Sequence, residues 1–113
     1  MIVVAGIKSC DTCRKALAWL ESEGIQYRFN DLRTDGITEK QLRSWISDVS
    51  WEALLNRRST TWRCLDDGRK SDMNEAKALC LLLEHPTLVK RPIFCTEKGI
   101  YVGFSDAVRA ELS

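Results

Sequence analysis

Cys10 and Cys13 stand three residues apart in Ser9-Cys10-Asp11-Thr12-Cys13-Arg14-Lys15, just after the apolar run Ile2-Val3-Val4-Ala5 and the short loop Gly6-Ile7-Lys8. The reactive form of cysteine is the thiolate, and what decides reactivity is how far the surroundings favour that anion. If the apolar run is a buried strand and a helix opens at Cys10 or Asp11, Cys10 sits at the helix N-terminus. Unpaired backbone N–H groups and the helix dipole stabilise negative charge there. Arg14 and Lys15 add positive charge in the next turn. Cys13 falls on the same helix face and is placed to close a disulfide with Cys10, a two-thiol redox layout.

Other chemistries compete for these residues. Zinc normally takes four ligands, and the chain has no second C-x-x-C or His pair to complete a site, so no metal is expected. Free cysteines are often small buried hydrophobes. Their position between a strand and a helix start weighs against that reading. The Gly-Ile-Lys-Ser-Cys loop lacks both the G-x-x-x-x-G-K spacing and the C-x5-R spacing of phosphate-cradling loops.

Residues 56–70 are polar and basic, with Arg57, Arg58, Arg63, Arg69 and Lys70 interleaved with Ser59, Thr60, Thr61 and Trp62. The stretch reads either as a solvated loop or as an anion site beside the thiol, since arginine pairs bidentately with oxyanions and carboxylates. His85, the single histidine, precedes Pro86 at a helix end, where a structural role is expected rather than general-base work.

The elements that must position these groups are legible from periodicity. Cys13, Ala16, Leu17 and Leu20 have helical spacing, and Gly24 follows as a left-handed C-terminal residue. Ile25, Tyr27 and Phe29 alternate with polar residues as a strand does, which implies a strand–helix–strand unit with a parallel pair. Thr38-Glu39-Lys40-Gln41 has the form of a capping box ahead of the stripe Leu42, Trp45, Ile46 and Val49, and Ser50 caps a further short helix with Trp51, Leu54 and Leu55. Asp72 with Glu75 predicts another helix start, with Met73, Ala76, Leu79, Cys80 and Leu83 as its buried face. Pro92 leads a short strand, Ile93-Phe94-Cys95-Thr96, and a turn at Glu97-Lys98-Gly99 makes a hairpin with Ile100-Tyr101-Val102. Ser105-Asp106 caps a last helix with Ala107, Val108 and Leu112 inward.

A chain of 113 residues that is 44% hydrophobic and 29% charged is the size and composition of one globular domain. Seventeen basic against sixteen acidic side chains leave a formal charge of +1, too little to draw the whole chain to nucleic acid or an acidic membrane. No apolar run approaches the roughly 20 residues of a membrane span, and the N-terminus lacks a basic leader, so a cytoplasmic protein is expected. Five cysteines, an odd number, do not form a secreted disulfide framework.

The order is strand–helix–strand, then helices, then a Pro-led strand, a hairpin strand and a final helix. This is an α/β thioredoxin-like topology: a mixed four-stranded sheet with a helical insertion, over about residues 38–84, after the second strand of a single domain spanning 1–113. Several stretches make the resemblance specific: Gly6-Ile7-Lys8-Ser9-Cys10-Asp11-Thr12, Trp19-Leu20-Glu21, Tyr27-Arg28-Phe29-Asn30-Asp31, Leu55-Asn56-Arg57-Arg58-Ser59-Thr60-Thr61-Trp62-Arg63 and His85-Pro86-Thr87-Leu88-Val89-Lys90-Arg91-Pro92-Ile93. Together they resemble the YffB-type branch of the arsenate reductase (ArsC-like) family, which is related to the Spx-type regulators.

The resemblance implies that Cys10 is the nucleophile and that Arg91, before a usually cis Pro92, binds an oxyanion. Lys8, Pro92, Arg57 and Arg58 complete the candidate substrate- or anion-binding set, and Cys13 matches the second cysteine of the Spx-type regulators. Arsenate-reducing members carry a histidine where this chain has Gly6 and an arginine where it has Gly103. Their first site arginine falls at about Asn56, beside Arg57 and Arg58. The chain also ends earlier than the Spx-type regulators do.

Three functions follow. One is a glutathione-dependent thiol–disulfide oxidoreductase with no bound cofactor, acting as a monomer on a small anionic or disulfide substrate, with glutathione or a glutaredoxin-like protein as reductant. The second is glutathione-linked arsenate reduction, and the third is a redox-sensing regulator that binds RNA polymerase. Direct contact with nucleic acid or membrane is expected in none.

Overall fold

The computed structural model describes residues 1–113 throughout. The chain divides into two compact units, Met1–Asp35 with Arg91–Ser113, and Gly36–Lys90.

The first unit is built on a four-stranded sheet of order β2-β1-β3-β4, with β1 at Ile2–Gly6, β2 at Tyr27–Asp31, β3 at Ile93–Thr96 and β4 at Gly99–Val102. β1 and β2 are parallel, in register from Ile2↔Tyr27 to Gly6↔Asp31. β3 runs antiparallel to β1, with Ala5 opposite Ile93, and β4 closes the hairpin on β3. This mixed sheet is the thioredoxin-like arrangement that the order of elements implied. Helix α1, Asp11–Ser22, ends before Gly24, whose φ of +68° supplies the left-handed turn into β2. Helix α7, Asp106–Leu112, is capped by the Ser105 hydroxyl, which accepts from the Val108 N–H. Val4, Phe94, Ala16, Leu20 and Val108 form one buried cluster, so sheet, α1 and α7 share a core.

The second unit is helical: α2 (Glu39–Asp48), α3 (Trp51–Leu54), α4 (Thr60–Cys64), α5 (Asp67–Lys70), α6 (Glu75–Glu84) and a 3-10 turn at Pro86–Leu88. Thr38 and Gln41 form the expected capping box of α2, and Ser50 caps α3. Buried residues here include Leu42, Trp45, Leu54, Leu55, Leu82 and Leu88.

Four local expectations are corrected. Residues 56–70 are not a bare loop: Ser59 and Asp66 accept from the N–H groups of Trp62 and Arg69 and so start the short helices α4 and α5. The cap of α6 is Asn74, bonded to the Lys77 N–H at 2.9 Å, while Asp72 takes a left-handed φ of +50°. The buried stripe of α6 accordingly runs through Ala78, Leu79, Leu81 and Leu82, and Ala76 and Cys80 are exposed. The run Leu79-Cys80-Leu81-Leu82-Leu83 is apolar on every side, so its period could not fix the phase. Ala107 likewise faces solvent.

Candidate active site

The sheet brings three chain segments to one end. β1 runs out at Gly6, the parallel β2 runs out beside it at Asp31, and the antiparallel β3 begins next to it at Ile93. Residues just after β1, just after β2 and just before β3 therefore meet, although they lie far apart in sequence.

After β1, Ile7 is buried and its carbonyl accepts from the Cys10 N–H at 3.0 Å, closing a turn over Lys8 and Ser9. The turn is held from outside by Arg14, whose guanidinium donates to the carbonyls of Lys8 (3.1 Å) and Ser9 (3.4 Å). Arg14 thus braces the loop. Cys10 is the N-cap residue of α1, with extended φ and ψ, and its carbonyl accepts the first helical bond from the Arg14 N–H. Its side chain makes no cap hydrogen bond, so the sulfur is left to other work.

The two thiols differ in acidity. Partial burial pushes Cys10 up, but the backbone N–H of Cys13, the Cys13 thiol, the Arg91 guanidinium and the backbone N–H of Thr12 all favour its thiolate, and together they carry it below the ordinary cysteine value. Because the two N–H groups fall short of a formed cap bond, their contribution is that of aligned dipoles at a helix start. Cys13 goes the other way. It is 0% exposed, and that burial, with the neighbouring Cys10 charge, pushes its thiol up to about 11 against the favourable Ile7 N–H and the Arg91 charge. Cys10 is therefore the more acidic thiol of the pair and Cys13 the one held neutral, and both cysteines are free.

Arg91 reaches Cys10 from the start of β3. The Arg91–Pro92 bond is cis, Pro92 is buried, and its carbonyl accepts from the Gly103 N–H at 2.8 Å. Lys8 is exposed on the turn before Cys10. Cys10, Cys13, Lys8, Arg91 and Pro92 therefore belong to one unit and surround one sheet end. Arg57 and Arg58 lie in the other unit, both exposed; Arg57 rests over the Trp62 ring at 5.8 Å and the Arg58 N–H donates to Asn56 Oδ1. His85 is also in that unit, 3.7 Å from the Glu84 carboxylate that Arg69 already occupies. No group of three or more His, Cys, Asp or Glu side chains is clustered as a metal ion would require.

Two positioning residues escaped the sequence reading. Asp31, 5% exposed, accepts at Oδ2 from the Lys8 N–H (3.2 Å) and at Oδ1 from the N–H groups of Arg33 (2.9 Å) and Thr34 (3.2 Å). Burial alone would raise its pKa, but the three N–H bonds and the Lys8 charge lower it, so the loop carrying Cys10 is pinned by a buried carboxylate. An Asp at a strand end before a polar turn is the signal that could have found it. The other is Gly6, whose missing side chain leaves room beside Cys13.

Residues 5–112 match the ArsC family. The chain belongs to that family. As an ArsC-family protein it is similar in structure to the YFFB (PA3664) protein, 41% identical, with 100% of both chains covered and a TM-score of 0.94. It also resembles an arsenate reductase (ArsC) related protein from Brucella melitensis, 39% identical over 97% of this chain and 92% of that one, with a TM-score of 0.80. Global transcriptional regulator Spx 2 of Bacillus anthracis is 32% identical over 94% of this chain and 82% of its own length. These likenesses support membership in a thiol-oxidoreductase family that has regulators among its relatives. No helix is long and apolar enough to cross a membrane.

Proposed function

We propose that this ArsC-family chain is a glutathione-dependent thiol–disulfide oxidoreductase that uses Cys10 as its nucleophile. The observation that carries the reading is the opposite displacement of the two thiols, Cys10 favoured as thiolate and Cys13 kept neutral up to about pH 11. A nucleophile and a proton-bearing resolving thiol need that division.

In the reaction, the Cys10 thiolate attacks one sulfur of a substrate disulfide, a Cys10–substrate bond forms, and the other half leaves as a thiolate that takes up a proton. Cys13 then gives up its proton and attacks Cys10 Sγ, expelling the second thiol, or glutathione performs the same displacement. One disulfide is reduced to two thiols as one protein dithiol becomes a disulfide, and two glutathiones return it to the dithiol. Arg91, beside the reacting sulfur, holds a carboxylate or other anionic group of the substrate, with Lys8 as a second cation on the same loop. A reducing cytoplasmic setting and a monomer needing no bound cofactor fit this cycle.

The decisive experiment is turnover of a glutathione mixed disulfide by wild type and Cys10→Ser. Turnover that survives Cys10→Ser refutes the assignment. Arsenate runs in parallel, and reduction of arsenate alone would move the substrate to an oxyanion. The relation to the Spx 2 regulator favours one second reading, a redox switch that binds RNA polymerase. Polymerase capture that changes with the oxidation state of Cys10 and Cys13, without turnover of either substrate, would replace the enzyme by the switch.

A further inference from the structure

We propose that Gly6 is a positioning residue for the dithiol: it exists as glycine so that the buried Cys13 sulfur can sit against Cys10. This deepens the oxidoreductase reading and rests on it for the role of Cys13. A Cβ built at Gly6 lies 2.6 Å from Cys13 Sγ, far inside contact distance. The same Cβ meets only ordinary contacts otherwise, 3.4 Å to Phe29 Cε1 and 3.5 Å to Cys13 Cβ. Gly6 is a β1 residue outside the left-handed region, so conformation does not demand glycine there. Space does, and the space is taken by one sulfur atom.

That sulfur has little freedom to yield. Cys13 is on α1, where the gauche-plus rotamer clashes with the preceding turn, and it is fully buried. In its present position it faces the Ile7 N–H and the Cys10 sulfur. Moving it off Gly6 removes both contacts, and with them the S–H donor that helps keep Cys10 ionised. Gly6 also pairs with Asp31 at the end of β1, where the Leu32 N–H donates to its carbonyl at 2.8 Å, so the backbone cannot retreat without breaking the sheet end. Glycine at position 6 and cysteine at position 13 are therefore one unit of the site.

The test compares four proteins: wild type, Gly6→Ala, Cys13→Ala and the double variant. Thermal melts of all four form a double-mutant cycle. Gly6→Ala should lower Tm in the wild-type background and leave it unchanged or raised beside Cys13→Ala, because the only short contact has gone. Equal loss of Tm in both backgrounds, or failure to fold in both, overturns the proposal.

Two chemical readings separate positioning from mere packing. Alkylation of Cys10 by iodoacetamide across pH should shift to higher pH in Gly6→Ala. Closure of the Cys10–Cys13 disulfide after mixing with oxidised glutathione should slow at least tenfold. An unchanged alkylation profile together with closure within twofold of wild type overturns the proposal. Wild type that forms only a stable Cys10–glutathione disulfide, while the cycle and the alkylation shift hold, instead refutes Cys13 as resolving thiol and leaves the pairing of Gly6 with Cys13 intact.

Discussion

Replacing Arg91 by alanine removes the one side-chain cation seen to favour the Cys10 thiolate. A charge-assisted hydrogen bond contributes about 1.5–3 kcal/mol. At about 1.4 kcal/mol per decade, that is a fall of roughly ten- to hundredfold in kcat/KM. Cys10 and Arg91 are both only partly buried, so solvent screens their interaction and the thiolate part of the loss lies toward the lower end. The two roles of Arg91 separate with pH. Iodoacetamide, which carries no charge, reports the thiolate alone: the Arg91→Ala profile should move to higher pH and rejoin wild type once both are fully ionised. A glutathione mixed disulfide carries carboxylates, and its turnover should stay depressed above that pH, because the anion anchor is still missing. Arg91→Lys should restore part of the alkylation profile and little of the turnover, since an ammonium lacks the planar fork. Arg91→Ala with unchanged alkylation and unchanged turnover would remove this arginine from the site.

Cys13→Ala should move Cys10 alkylation to higher pH and make release of the second substrate thiol, which the wild-type dithiol achieves in a single turnover without glutathione, depend on added glutathione; intramolecular closure by any other cysteine, found by peptide mapping, would contradict the pairing. Asp31→Asn leaves one acceptor oxygen for the three N–H groups of Lys8, Arg33 and Thr34 and sets an amide donor against one of them, a cost of about 1–3 kcal/mol in urea melts. The pH dependence has a definite sign. The folded pKa of Asp31 is depressed, so its stabilisation is full above the unfolded carboxylate value and is lost as pH falls through the folded one. Wild type should converge on Asp31→Asn in acid, and a constant gap would contradict the lowered pKa. Asn74→Ala should cost about 1 kcal/mol by removing the acceptor for the Lys77 N–H, while Asp72→Gly, at a left-handed φ, should cost nothing; the reverse order would restore Asp72 as the cap.

What the sequence determined by itself is what neighbours along the chain decide. The apolar run ahead of Cys10, the i, i+3 spacing of Cys10 and Cys13, Gly24 after α1, the capping box at Thr38 and the hairpin at Gly99 are all short-range patterns, and each stands in the fold as read. The motif stretches, compared with a known family, also carried the membership. Where local pattern was ambiguous the reading went astray, as in the all-apolar run of α6 that left Cys80 in solvent. Tertiary structure alone decided the rest. Arg91 reaches Cys10 because β3 runs antiparallel to β1, and Asp31 holds the Cys10 loop because β2 runs parallel to it. Cys10 and Cys13, alike as letters, part in acidity because burial and aligned N–H groups are set by residues from several segments at once. The need for glycine at position 6 is an excluded volume created by a helix folding back on its own strand, a distance that spacing along the chain does not encode.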